Sequence, residues 1–210
     1  MQLSFKLHIN VIVAIVAHES RPNTSLFLSH ETETLIGAFI TYVRPLLEYC
    51  TPIWSPYSVG MIKRVESVQR AFTKKLPYMK CLTYKKRLSA VCLKSLELRR
   101  LKADLTVCFK ILRGFTNIIP SEIFVWSSSS TRGNSNKLYY QDSRVTVRQN
   151  LFSVRVVQVR NKLPEEVVSA SSVSAFISRI NSMHVSFLMF CFSAVCFFIY
   201  VSFRAVVSAF

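Results

Sequence analysis

SVGMIKRVESVQRAFTKKL (Ser58–Leu76) is the stretch on which the fold turns. Its apolar residues recur at Val59, Ile62, Val65, Val68, Phe72 and Leu76, the three- and four-residue spacing that gathers side chains onto one side of an α-helix. Ser58 supplies the short acceptor side chain that caps a helix start. The other side holds Lys63, Arg64, Arg70, Lys74 and Lys75. The pattern predicts one helix with a buried apolar stripe and a cationic outer face.

The flanking stretches repeat the same period. From Thr34 to Tyr49 the stripe is Leu35, Ala38, Phe39, Tyr42, Val43, Leu46 and Leu47, with Pro45 either kinking that helix or starting a second one. Thr51–Pro56 reads as a turn with two prolines and Trp54. Tyr84–Val91 predicts a short helix carrying Lys85, Lys86 and Arg87. A further helix is framed by Ser95 and Glu97 at its start and by Arg113 and Gly114 at its end, with Leu98, Leu101, Leu105, Cys108, Phe109 and Leu112 as its stripe. Beyond the polar loop Ser127–Asn136, Lys137–Gln141 is a candidate short strand, and Val147–Asn161 and Ser172–Ile180 read as helices. The fold class expected is mainly α: a small helical bundle, a C-terminal helical segment and a hydrophobic C-terminal tail helix. No repeat of fixed period is present.

The two ends differ from this body. Val11–Ala17 (VIVAIVA) follows Lys6 and has the composition of a short signal-peptide h-region, but its β-branched residues suit a strand equally well. The sequon Asn23-Thr24-Ser25 carries weight only in a secreted chain. At the other end, Val185–Phe203 (VSFLMFCFSAVCFFIYVSF) has no charged residue, enough length to cross a bilayer as a helix. This tail is the candidate membrane partner. If it inserts, the basic body stays on the cytosolic side and the localisation is membrane, and otherwise nuclear or cytoplasmic.

The 210 residues carry 27 Lys and Arg against 11 Asp and Glu, a net charge of +16, with a mean hydropathy of +0.30. The charge concentrates between Lys63 and Arg113, where fifteen cationic residues face only Glu66, Glu97 and Asp104. A solvated helix face commonly balances its signs and this one does not. A polyanion is therefore the expected partner, RNA or DNA contacted nonspecifically through its backbone or anionic lipid headgroups. Tyr57, Tyr78 and Tyr84 are interleaved with the charge and either stack on bases or sugars or finish the core.

No catalytic constellation is legible. Two-metal phosphoryl chemistry needs converging carboxylates, whereas Asp104 and Asp142 are the only aspartates and lie far apart in sequence. Glu31 with Glu33 and Glu165 with Glu166 read as first turns of helices. With four glycines and no phosphate-loop, dinucleotide or nucleophile-elbow motif, no cofactor and no small-molecule substrate are expected. The cysteines Cys50, Cys81, Cys92, Cys108, Cys191 and Cys196 form no C-x-x-C pair and are expected to be mostly buried free thiols; they and the four histidines suggest no metal site.

The wording of the body is more specific than its composition. TYVRPLLEYCTPIWSPY (Thr41–Tyr57), IKRVESVQRAFTKKLP (Ile62–Pro77), TYKKRLSAVCLKSLELRRLKADLTVCFKILRGF (Thr83–Phe115), STRGNSNKL (Ser130–Leu138) and LFSVRVVQVRNKLPEEVVSASSVSAF (Leu151–Phe176) occur in that order. Together they resemble the region just downstream of the palm in reverse transcriptases of non-LTR retrotransposons of the jockey and CR1-like kind. The resemblance spans residues 26 to 180. It implies a basic, thumb-like helical domain over residues 26–116 and the C-terminal segment of the reverse transcriptase region over 117–181, after a divergent segment 1–25 and before the tail 182–210. It further implies a nucleic-acid grip, for which Lys63, Arg64, Arg70, Lys74, Lys75, Lys85, Lys86 and Arg87 are the expected phosphate-contacting residues. Trp54 and its prolines are then packing.

Two departures limit what carries over. The paired aspartates that the family uses for polymerisation have no counterpart here, so the expectation is a catalytically inactive, truncated copy and no enzyme. The family usually has tryptophan before its N-x-L-P motif, and here that position is Arg160, a loss of a few kcal/mol of packing if the site is core. The rival reading is a tail-anchored membrane protein whose basic cytosolic domain meets anionic lipid or a protein partner.

Overall fold

The computed structural model describes residues 5–19, 31–128 and 136–183. The described chain is mainly helical, as the periodicity predicts. Its contacts divide it into two compact units, Met1–Arg100 and Leu101–Phe210.

The first unit begins with α1 (Lys6–Glu19), which takes in the stretch that suited an h-region or a strand equally well; it is a helix. Ile9 and Val16 of α1 are buried. Then come α2 (Thr32–Ala38), a π-helical turn (Phe39–Val43) and α3 (Arg44–Glu48). Pro45 sits in the first turn of α3, directly after the π-turn. The wide turn before it corrects the single stripe expected from Thr34 to Tyr49: Phe39, Val43 and Leu47 are buried, while Tyr42 and Leu46 face solvent. A π-turn advances the chain by more than 3.6 residues and so rotates the following residues off the original face.

Thr51–Trp54 forms the short helix α4, opened by Cys50 in the left-handed region at φ 53°. Trp54 is buried against the edge of His8, and its indole N–H donates to the Tyr49 carbonyl. The predicted central helix is α5 (Val59–Lys75), with the Ser58 hydroxyl accepting from the Met61 N–H at 3.3 Å. Val65, Val68, Trp54, Leu47, Phe39 and Ile9 share one core cluster, with Phe72 stacked on Phe39 at 4.2 Å. Val59, placed in the stripe by spacing, is the first residue of the helix and is exposed instead. α6 (Tyr84–Ala90) packs on α5. α7 (Leu96–Leu112) starts in this unit, where Arg99 donates from Nη2 to Glu48 Oε2 at 2.8 Å and from Nε to Oε1, a bidentate link from α3 to α7.

In the second unit, Leu101, Leu105, Cys108, Phe109 and Ile111 of α7 are buried and Gly114 ends the helix at φ 70°, the left-handed C′ position that glycine fills without penalty. Four short helices follow: α8 (Pro120–Ile123), α9 (Thr146–Gln149), α10 (Phe152–Asn161) and α11 (Glu165–Val168). The last helix is α12 (Val173–Ser182), with Phe176 stacked on Phe109 at 4.1 Å. The helix expected over Val147–Asn161 is in fact two, α9 and α10, broken at Asn150 and Leu151. The strand expected at Lys137–Gln141 is reduced to an isolated antiparallel bridge between Trp126 and Leu138.

Two side chains explain why that bridge stays in place. Asn161 donates from Nδ2 to the Leu138 carbonyl at 2.7 Å and accepts the Leu138 N–H at 3.0 Å, so its amide stands in for a neighbouring strand. The Arg160 position is core, only 6% exposed. Its guanidinium donates to the Asn136 carbonyl, and burial lowers its pKa from the usual range. Nearby, Asp104 and Arg155 form a buried bidentate ion pair at 2.9 and 3.1 Å.

Candidate nucleic-acid interface

The surface that the charge pattern predicts is built on α5 and α6. At about 100° per residue, Arg70, Lys63, Lys74, Arg64 and Lys75 fall within one arc of about 140° on α5, and all five are exposed. Apart from Val59 at its start, the remaining arc of α5 is buried or half-buried and has two halves. Val65, Val68 and Phe72 face the apolar cluster, whereas Glu66, Gln69 and Thr73 are polar yet almost inaccessible. The apolar spacing gave no sign of the second half.

This polar half holds α6 and the start of α7 against α5. The Tyr84 hydroxyl donates to Glu66 Oε1 at 2.5 Å, and Gln69 Nε2 donates to the Tyr84 hydroxyl at 3.1 Å and to the Lys94 carbonyl at 3.0 Å. The Leu96 N–H donates to both Glu66 oxygens, at 3.3 and 3.1 Å. Glu66 thereby places a carboxylate at the start of α7, where unpaired N–H groups and the helix dipole favour negative charge. Burial, followed by the bond to Glu66, raises the Tyr84 pKa well above the ordinary phenol range.

Tyr84 is consequently a structural residue and not an available stacking platform, which corrects one expectation. Its ring is covered by the Arg70 guanidinium, 4.7 Å from the centroid, and approached by Arg87 at 5.7 Å. Arg87 corrects another. It is buried, and it donates to the Leu82 carbonyl at 3.1 Å and to the Arg70 carbonyl at 3.5 Å, so it braces the α5–α6 turn and does not face solvent. The structure brings the other seven predicted residues to the surface of α5 and α6: Lys63, Arg64, Arg70, Lys74, Lys75, Lys85 and Lys86.

The placement of acids sharpens the field. Glu66 is turned inward, and Glu97 is half-buried, its pKa raised first by desolvation. Neither carboxylate stands among the outward cations. Lys74 and Lys75 lie in the last turn of α5, the favourable end of its dipole. Lys85 and Lys86 occupy the first turn of α6, the unfavourable end, so helix stability does not account for them.

Elsewhere in this unit an open cleft of about 280 Å³ is lined by Lys6, Ile9, Trp54, Pro56, Tyr57 and Met61, with no acid–base pair among these residues. The four described cysteines are free, as expected, but only Cys108 is buried; Cys50, Cys81 and Cys92 are exposed, against the expectation of buried thiols. The reason is local: Cys50 and Cys92 hold left-handed turn positions at φ 53° and belong to no helix face. Among the described residues no group of three or more His, Cys, Asp or Glu is placed to hold a metal ion, and no helix is long and apolar enough to cross a membrane. The candidate span Val185–Phe203, with Cys191 and Cys196, lies outside the described residues. No protein-family model, curated protein or solved structure matches the chain.

Proposed function

We propose that the chain corresponds to the substrate-holding part of a mobile-element RNA-directed DNA polymerase, is catalytically inactive, and binds RNA or DNA nonspecifically through the outer faces of α5 and α6. The observation that carries this reading is the sorting of charge in the first unit: seven cations point outward on two adjoining helices while Glu66 is folded inward. Backbone contacts by such a surface release counterions, so affinity falls steeply with salt and little with base sequence. The resemblance of the body to the region downstream of a reverse transcriptase palm supports the same partner. Equilibrium binding of the full-length chain to single-stranded and duplex nucleic acid across a salt series tests it. A log–log slope of several units is expected. No binding at low salt, or an affinity indifferent to salt, would defeat the proposal.

A second reading rests on the nineteen uncharged residues Val185–Phe203: a tail-anchored membrane protein with a basic cytosolic domain. Carbonate extraction of membranes holding the tagged full-length chain tests that one, and recovery in the soluble fraction rules out the anchor.

A further inference from the structure

Tyr78 stands apart from the other aromatic residues of the first unit. It is 99% exposed, and its φ of 60° puts it in the left-handed region. A side chain with a β-carbon pays for that conformation, which is why glycine or asparagine usually fills it. The other two described non-glycine residues at positive φ, Cys50 and Cys92, carry small side chains. Tyr78 is the large one.

The turn that imposes this conformation is anchored. The Met79 N–H donates to the Leu76 carbonyl at 3.2 Å and the Leu82 N–H to the Met79 carbonyl at 3.1 Å, while Leu76 itself is buried at the end of α5. Packing offers no account of the ring, since the protein leaves almost all of it in water. Its place in the chain does. Lys74 and Lys75 precede it, Lys80 follows, and Lys85 and Lys86 open α6, all of them exposed. An exposed aromatic ring therefore sits in the chain between exposed lysines on either side. Lysines do not distinguish a single strand from a duplex, because both present phosphates. A ring does, since a base offers its π-face only when it is unstacked and unpaired.

We infer that Tyr78 is a base-stacking residue, and that with Lys74, Lys75 and Lys80 it forms a site for single-stranded nucleic acid in preference to duplex. This rests on the nucleic-acid reading above and adds the strand class to it.

The experiment measures full-length chain binding to a labelled oligothymidylate and to a blunt DNA duplex of equal length, by fluorescence anisotropy at low salt. Tyr78→Ala is expected to weaken strand binding by about 5- to 100-fold, as for a lost base–aromatic stack, and to change duplex binding by less than about twofold. Tyr78→Trp keeps the strand affinity. Tyr78→Gly separates a binding role from a structural one: it relieves the left-handed strain and raises the melting temperature, yet loses strand affinity as the alanine does. Unchanged strand binding in the alanine variant, or an equal loss on both probes, overturns the stacking site while leaving the basic surface intact. Failure of the unsubstituted chain to bind either probe overturns the nucleic-acid reading, and the stacking site with it.

Discussion

Glu66 receives the Tyr84 hydroxyl at 2.5 Å on one oxygen and the Leu96 N–H on both, so a single buried carboxylate joins α5, α6 and the start of α7. Removing one member of such a network leaves the others desolvated and short of partners. Glu66→Ala is expected to cost about 2–4 kcal/mol and Tyr84→Phe about 1–2 kcal/mol. The double variant should cost less than the sum, with a coupling of about 1 kcal/mol. Denaturant unfolding of the four proteins of the cycle measures this; strict additivity would show that Tyr84 and Glu66 act independently.

The eight cationic residues first assigned to the surface should split into two groups. Lys63→Ala, Lys74→Ala and Lys75→Ala are each expected to lower the salt slope of nucleic-acid binding by about one unit, with stability changed by less than about 0.5 kcal/mol. Arg87→Ala should do the reverse, costing about 2 kcal/mol through the freed Leu82 carbonyl and the loss of a buried side chain beside Tyr84. Paired binding and melting measurements separate the two patterns.

Asp104 and Arg155 are the buried pair of the second unit, with side-chain exposures of 4% and 10%. Truncating one partner of a buried pair strands the charge of the other. Asp104→Ala is expected to destabilise the protein by about 3 kcal/mol, and a joint Asp104→Leu, Arg155→Met replacement by much less. Chemical denaturation checks both, and equal losses would mean that packing at these positions outweighs the charge.

Burial pushes the Cys108 thiol up to about 12. Alkylation requires the thiolate, and a raised pKa depletes it. Iodoacetamide under native conditions should label Cys50, Cys81 and Cys92, which are exposed, and spare Cys108 until denaturant is added. Peptide mapping by mass spectrometry reads this directly.

Helices were legible where the apolar period was long and capped. α5 and α7 begin and end within a residue or two of where Ser58, Ser95 and Gly114 placed them, because a cap satisfies backbone groups within one turn and needs nothing distant. Short-range patterns misled where a turn changed the period, as in the π-turn ahead of α3, which sent Tyr42 and Leu46 outward. The seven exposed cations were legible for the same local reason: opposite faces of one helix are set by its own geometry.

What the residues determined unaided was thus the helical class, the frame of α5 and α7, and a cationic outer face. Tertiary structure decided which polar groups are spent inside. Glu66, Gln69, Tyr84 and Arg87 carry the same chemistry in the sequence as their exposed neighbours, and nothing in their spacing separates a solvated carboxylate from one that holds three helices together. The partners on α5, α6 and the start of α7 lie 15 to 30 residues apart, and only when the chain returns to α5 are those hydrogen bonds, and the exposure of Tyr78 between them, established.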